Sequence, residues 1–141
     1  MRALMRAPVV LYRIGLGGLI GKSTLLLTTT GRRTGRARTA PVNYWETDGV
    51  LFVIAGGGTH ADWYRNLVAL PEVEIQVGRR RFRAIASPLT DMREKAHALW
   101  LFSQQSPGSA ERYFGIQRGA AEEDLLSLAG KRAIVAIRPR E

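Results

Sequence analysis

Cysteine is absent from this sequence of 141 residues, and histidine is scarce, with only His60 and His97. The absence of cysteine excludes disulfides, thiolate nucleophiles and cysteine-based zinc sites. Two isolated histidines form no cluster of ligands, so we expect no metal site. No run of about 20 consecutive apolar residues occurs, and the sequence therefore predicts no transmembrane helix.

Acidic residues are few as well. Twelve Asp and Glu stand against 21 Lys and Arg, which gives a net charge of +9, and the lysines are only Lys22, Lys95 and Lys131. Arginine binds phosphate and carboxylate groups through a planar fork of donors. A biased genomic base composition also favours arginine over lysine. Only the positions of the arginines in the sequence therefore indicate whether they bind an anion. Eight arginines fall in two short runs, namely Arg32, Arg33, Arg36 and Arg38, then Arg79, Arg80, Arg81 and Arg83.

The length and composition fit a single domain over 1–141. We expect a helical extension over 1–20, a barrel core over 23–88 that carries the motifs described below, a helical region over 91–128 and a closing strand over 132–138. Within the extension, 8–19 reads as an amphipathic helix. Its expected role is to cover one end of the barrel, with contact to a membrane surface as the alternative.

Alternating and β-branched apolar residues predict strands over 23–30, 38–47, 50–55, 72–77, 81–86 and 133–137. Asp48-Gly49 predicts a hairpin turn, and Pro41 indicates an edge or a bulge. A short helix over 62–67 is expected to be capped by Thr59 or Asp62, and a helix over 91–102 by Asp91. Five or six short strands joined by hairpins favour an antiparallel barrel over a parallel sheet.

The turn Thr30-Gly31-Arg32-Arg33-Thr34-Gly35 is the first candidate site. Its two glycines allow backbone N–H groups to converge on an anion, while the threonine hydroxyls and Arg33 add donors. Arg38 follows closely and adds a charge-assisted donor. The same pattern is equally compatible with a solvated basic hairpin.

A second candidate site is the segment Gly56-Gly57-Gly58. Without side chains, these residues let a flat ligand lie against the backbone. Trp63 and Tyr64 follow and are able to wall a ring system, although core packing is the alternative for both. His60 lies beside the glycines, within reach of such a ligand.

These segments carry a family resemblance. In order and spacing, four stretches of the chain resemble the deazaflavin-dependent nitroreductase family. They are Leu25-Leu26-Leu27-Thr28-Thr29-Thr30-Gly31-Arg32-Arg33-Thr34-Gly35, then Arg38-Thr39-Ala40-Pro41-Val42, then Asp62-Trp63-Tyr64-Arg65-Asn66-Leu67, and finally Pro71-Glu72-Val73. Members of that family use coenzyme F420. The resemblance implies a mainly β, α+β fold with helices, built on a split, flavin-reductase-like β-barrel of antiparallel strands.

The resemblance also implies a set of cofactor-binding residues. The family's anion-binding turn corresponds to Arg32, Arg33, Thr34 and Gly35, and Arg38 is implied to bind the acidic tail. The implied set is completed by Thr30, Gly31, Pro41, Trp63, Asn66 and the segment Ala55-Gly56-Gly57-Gly58. In the family a Ser-Lys-Gly-Gly segment normally occupies that last place, so this chain lacks its serine and lysine.

The implied activity is F420-dependent hydride transfer from the reduced deazaflavin to a small organic acceptor, such as a quinone, a nitroaromatic or an enone. FMN is the alternative cofactor within the same fold. Because the cofactor supplies the hydride, the protein has mainly to bind and orient it. The catalytic residue is not determined by the sequence, and Tyr44 and Tyr113 are weak candidates for proton donor.

Two other classes of function stay open. A cofactor or lipid carrier without turnover is suggested by the missing serine and lysine. Nucleic-acid binding is suggested by the net charge, but the sequence offers no recognition helix and no stacking aromatics along a strand. We expect a cytoplasmic protein, with membrane association as the alternative, and a homodimer is one expectation for its oligomeric state.

Overall fold

The structure is a computed structural model that describes residues 24–55 and 58–140. The amphipathic helix predicted over 8–19, the extension over 1–20, and two glycines of the candidate site, Gly56 and Gly57, lie outside the described residues. In the described part of the chain, no helix has the length and apolarity needed to span a bilayer.

Three antiparallel strands begin the described chain: β1 (Thr24–Thr30), β2 (Ala37–Thr47) and β3 (Val50–Ala55). Asp48 and Gly49 connect β2 to β3 with φ angles of 53° and 81°. Positive φ at both positions is the geometry of a two-residue hairpin turn, which confirms the prediction from Asp-Gly. Pro41 is exposed and precedes the part of β2 that pairs with β3, so the predicted edge position is also confirmed.

A single 3₁₀ turn (Gly58–His60) leads into helix α1 (Asp62–Ala69). The predicted cap is wrong, because Ala61 occupies the N-cap position and makes no side-chain capping hydrogen bond. The 3₁₀ turn includes Thr59, which places it too early to cap, and Asp62 is already the first helical residue. Its carboxylate in the first turn still interacts favourably with the helix dipole.

Strands β4 (Glu72–Val77) and β5 (Arg80–Pro88) form the next hairpin. The helical region comprises α2 (Met92–Gln105), α3 (Pro107–Phe114), a 3₁₀ turn (Glu122–Leu125) and α4 (Leu126–Gly130), and strand β6 (Ala133–Pro139) follows. Asp91 caps α2 as predicted, since its carboxylate accepts a hydrogen bond from the backbone N–H of Glu94 at 3.2 Å. Helix α2 extends three residues beyond the predicted end.

The six strands close into an antiparallel barrel in the order β1-β2-β3-β6-β5-β4. Hairpins connect β1 to β2, β2 to β3 and β4 to β5. Helix α1 leads from β3 to β4, which pairs with β1, and β6 returns from the helical region to close the barrel between β3 and β5. The predicted α+β class with a split, antiparallel β-barrel is thereby confirmed.

Two hydrophobic clusters stabilise this arrangement. One fills the barrel and includes Leu67 of α1, which is fully buried. The second lies between the outer face of the barrel and helices α2 to α4, where the ring of Trp45 lies 5.0 Å from that of Phe102. Burying one leucine stabilises a fold by about 1.5–3 kcal/mol, so Leu67 anchors α1 to the barrel. Helix α1 thus has a fixed position next to the turn that leaves β1.

Candidate cofactor-binding site

A cleft of about 370 Å³ opens between the turn after β1, the first half of β2 and helix α1. This volume is within the range of small-molecule sites. Ten described residues line it, and these are Gly31, Arg32, Arg33, Thr34, Arg38, Thr39, Ala40, Asp62, Trp63 and Asn66. Residues from three of the segments that carry the family resemblance, 25–35, 38–42 and 62–67, are therefore brought together on one surface.

The turn between β1 and β2 is tightly closed. The N–H of Gly31 donates to the carbonyl of Arg36 at 2.6 Å, and the N–H of Gly35 donates to the carbonyl of Gly31 at 2.8 Å. The hydroxyl of Thr34 accepts from the N–H of Arg36 at 3.2 Å. Gly35 has a φ of 72°, a conformation that favours glycine. These bonds give the turn a defined shape before any ligand binds.

The turn presents donors that have no partner among the residues that the structure describes. Arg33 and Arg38 are exposed, and neither side chain makes a hydrogen bond or ion pair within 24–55 and 58–140. Within the same ranges, the backbone N–H groups of Arg33 and Thr34 have no acceptor. Two guanidinium groups and two amides beside a cleft are a donor set for phosphate or carboxylate.

Arg32 differs from Arg33 and Arg38 because its guanidinium has partners within the protein. Its Nη1 donates to Oδ1 of Asn66 at 2.8 Å, and its Nη2 lies 3.6 Å from Oδ1 of Asp62. The Asp62 side chain is 87% exposed, so this ion pair contributes little to stability. Arg32 lines the cleft, but its guanidinium connects the turn to α1.

Trp63 forms the aromatic wall of the cleft. It is half-buried, packs against the barrel cluster, and lies edge-on to Tyr64 with ring centroids 6.3 Å apart. Tyr64 packs against the same cluster and does not line the cleft. Trp63 thus lines the cleft, whereas Tyr64 packs in the core. The sequence had left both alternatives open for each residue.

The remaining described residues of the predicted set do not line the cleft. Thr30 ends β1, Gly35 is at the outer side of the turn, and Pro41 follows Ala40 in β2. Ala55 is buried at the end of β3, where it pairs with Ala133. Gly58 has a φ of 65° and open space where a Cβ would be.

The two tyrosines considered as proton donors do not line the cleft either. Tyr44 is half-buried and packs against the barrel cluster. Tyr113 lies on α3 with its side chain 62% exposed and with the guanidinium of Arg112 over its ring. Whether either tyrosine donates a proton stays a prediction.

Sequence reasoning did not assign a site role to three of the lining residues: Thr39, Ala40 and Asp62. Thr39 and Ala40 belong to the quoted family segment, and their place beside Arg38 at the start of β2 was the available signal. The hydroxyls of Thr39 and Thr28 are 2.8 Å apart across β1 and β2. Asp62 begins another quoted segment, but its closeness to Arg32 depends on how α1 packs.

The second arginine run does not extend this site. Arg79 and Arg80 lie at the β4–β5 hairpin, and β4 runs antiparallel to β1 with Leu26 opposite Gln76. That hairpin therefore lies near the beginning of β1, whereas the turn with Arg33 follows its end. The two runs do not form one continuous basic track.

The donor set fits the group that the resemblance implies. An anionic cofactor with an aromatic ring needs unpaired cationic donors for its charged part and an apolar wall for its ring. Arg33, Arg38 and the turn amides supply the first, and Trp63 supplies the second. No charged partner within the described residues competes for the two arginines.

Comparison with known proteins identifies the family. The family model described as F420H(2)-dependent quinone reductase matches residues 5–120. An F420H(2)-dependent quinone reductase of Mycobacterium tuberculosis is 36% identical, and the match covers 81% of this chain and 80% of that protein.

Solved structures agree with this assignment. An F420-H2 dependent reductase, FDR-A, superposes with a TM-score of 0.59 at 25% identity, over 83% of this chain and 95% of that one. The heme storage protein HutZ of Vibrio cholerae has a TM-score of 0.58 at 16% identity, over 92% and 89% of the two chains, and shows the shared fold alone. This chain belongs to the F420H(2)-dependent quinone reductase family of oxidoreductases, which confirms the resemblance and the F420 cofactor predicted from the sequence.

Proposed function

We propose that this protein binds F420H(2) in the cleft beside α1 and transfers its hydride to a quinone. Nitroaromatic and enone acceptors are secondary substrates in this proposal. The observation that carries it is the pair of unpaired arginines, Arg33 and Arg38, on a glycine-closed turn facing a cleft that Trp63 walls. The names of the family and of its mycobacterial relative support quinones as the first acceptor to test.

In this proposal the protein's residues bind and orient. The guanidinium groups of Arg33 and Arg38 donate to the charged part of the cofactor, and the N–H groups of Arg33 and Thr34 complete an anion-binding surface. The hydroxyl of Thr34 accepts one internal bond and keeps its own proton available for donation. Binding of its charged part at this turn fixes the position of the whole cofactor along the cleft.

The apolar part of the site orients the ring. Trp63 offers a rigid aromatic surface in the cleft for the ring of the cofactor. When bound, F420 supplies the hydride itself. The protein contributes by placing the ring against this wall and by reducing the access of water to the acceptor.

The test combines binding with turnover. The purified protein is titrated with F420 and, separately, with FMN, and oxidation of F420H(2) is then followed with a quinone, a nitroaromatic and an enone. We expect tighter binding of F420 than of FMN and the largest kcat/KM with the quinone. Tight binding of FMN without binding of F420 would overturn the cofactor. Binding of F420H(2) without oxidation by any acceptor would identify a carrier.

A further inference from the structure

Asn66 is the most completely hydrogen-bonded polar side chain beside the cleft. It lies on α1 with 3% of its surface exposed. Its Oδ1 accepts from the backbone N–H of Arg32 at 3.2 Å and from Nη1 of the same residue at 2.8 Å. Its Nδ2 donates to Oγ1 of Thr29, which is also buried, at 3.2 Å.

These bonds leave the amide oxygen of Asn66 without capacity for a ligand. An amide oxygen has two lone pairs, and Arg32 occupies both. One of the two N–H groups of Nδ2 is directed at Thr29, so three of the four hydrogen-bonding positions of this buried side chain support its neighbours. Although Asn66 lines the cleft, its geometry differs from that of Arg33 and Arg38, whose donors are unpaired.

Asn66 supports the middle of the turn between β1 and β2, residues 31–36, which we call the anion turn. The base of the turn is closed by the bond between the N–H of Gly31 and the carbonyl of Arg36. The N–H of Arg32 immediately precedes the two amides that have no acceptor, and Asn66 holds that N–H on α1. The carboxylate of Asp62 adds only a 3.6 Å contact from an exposed side chain. Asn66 is therefore the main connection between the turn and α1.

We propose that Asn66 is a positioning residue for the anion turn: it orders the backbone at Arg32 and Arg33 before the cofactor arrives, and does not contact the cofactor itself. A preorganised site avoids the entropic cost of ordering a loop on binding. The proposal rests on the function proposed above only in that the anion is taken to be the charged part of F420.

The discriminating experiment compares two ligands. Asn66→Ala is titrated with F420 and with the same deazaflavin ring and ribityl chain lacking phosphate and tail, with binding read from fluorescence. We expect the affinity for F420 to fall about tenfold, the loss expected for one ordering hydrogen bond, and the affinity for the uncharged fragment to stay unchanged. An equal loss for both ligands would show general damage to the fold and overturn the proposal.

A second readout needs no cofactor. Amide hydrogen exchange over residues 31–36 is measured in the free protein, where we expect Asn66→Ala to exchange faster than the natural protein. Asn66→Asp keeps an acceptor for both Arg32 donors, and the Thr29 hydroxyl is able to donate to its second oxygen, so protection of the turn is expected to return. Unchanged exchange in Asn66→Ala would contradict the proposal.

Two further variants keep the test decisive. Should Asn66→Ala fail to fold, Thr29→Val removes the acceptor of the Asn66 amide with little change of shape. It is expected to reproduce both the loss of F420 affinity and the faster hydrogen exchange, more weakly.

The second variant combines Asn66→Ala with Arg33→Ala. Its loss of F420 affinity is expected to be smaller, in free energy, than the sum of the two single losses, because both residues act on one anion site. If the natural protein bound both ligands equally, the proposed function would fail, while hydrogen exchange would still test Asn66.

Discussion

Arg33 and Arg79 lie beyond opposite ends of strand β1. Arg33 follows the end of β1 at Thr30, whereas Arg79 follows the end of β4, which runs antiparallel to β1 with Thr28 opposite Glu74. The molecule therefore carries two arginine runs of similar composition, of which one faces the cleft and the other faces away from it. This separation gives a natural control for every experiment on cofactor charge.

The first prediction concerns the arginines at the cleft. Arg33→Ala with Arg38→Ala removes two charge-assisted hydrogen bonds, and at about 1.5 kcal/mol each the affinity for F420 is expected to fall roughly a hundredfold. Arg79→Ala with Arg83→Ala lowers the net charge by the same two units and is expected to change the affinity less than threefold. Fluorescence titration measures both. Equal losses in the two double variants would mean that only the overall charge matters.

The second prediction is a dependence on salt. Arg33 and Arg38 are exposed, so their attraction for an anion is screened as the ionic strength rises. We expect the Kd for F420 to increase with sodium chloride in the natural protein and to be nearly constant in the Arg33→Ala, Arg38→Ala double variant. A steep dependence that persisted in the double variant would place the anion elsewhere.

The third prediction concerns Gly31. A Cβ at this position would lie 2.9 Å from Oγ1 of Thr34 and 3.0 Å from the carbonyl oxygen of Arg36, and the second of these belongs to the backbone. Gly31→Ala is therefore expected to lower the free energy of unfolding by about 1–3 kcal/mol and to weaken F420 binding. Gly108→Ala, where the nearest atom is 3.7 Å away at the end of the Arg118 side chain, is the control. It is expected to leave stability unchanged or raise it by up to about 1 kcal/mol, because alanine favours helix α3. Chemical denaturation measures both.

The fourth prediction separates stability from binding. Leu99 on α2 is fully buried in the cluster between the helices and the barrel, and it does not line the cleft. Leu99→Ala is expected to lower the free energy of unfolding by about 2–5 kcal/mol, with the affinity of the folded protein for F420 unchanged. Met92→Ala on the same helix, with a side chain 50% exposed, is expected to stay within about 0.5 kcal/mol. A large change in F420 affinity in Leu99→Ala would show that the helical region supports the cleft.

Local signals in the sequence were sufficient for most of the strands and turns. β3 and β4 have the predicted bounds, and Asp48-Gly49 forms the predicted turn, because period-two apolar patterns and positive-φ residues act within a few positions. The anion turn was located from its glycines and arginines, although its role in binding F420 stays a prediction. The cap of α1 was wrong although its start at Asp62 was right, because Ala61 occupies the N-cap position and Thr59 belongs to the 3₁₀ turn.

Tertiary contacts explain what the sequence did not reveal. Arg32 looked equivalent to Arg33, yet its guanidinium is used by Asn66, which is 34 positions away in the chain. The same holds for Asp62 and for Thr39, whose place in the cleft depends on how α1 and β2 meet. Such pairings follow from packing between distant segments, and no pattern within a short window specifies them.

The position of Pro41 has a consequence for the addition of a further strand to the margin of β2. Among the described residues, β2 pairs with β3 only from Tyr44 to Thr47, which leaves the earlier part of β2 bonded on one side, to β1. An unpaired strand margin is a template on which another chain is able to add a strand. Proline has no N–H to offer an incoming strand, and it is tolerated where its nitrogen faces away from the paired neighbour. The margin beside the cleft is thus open to a small molecule while it resists extension by a foreign strand.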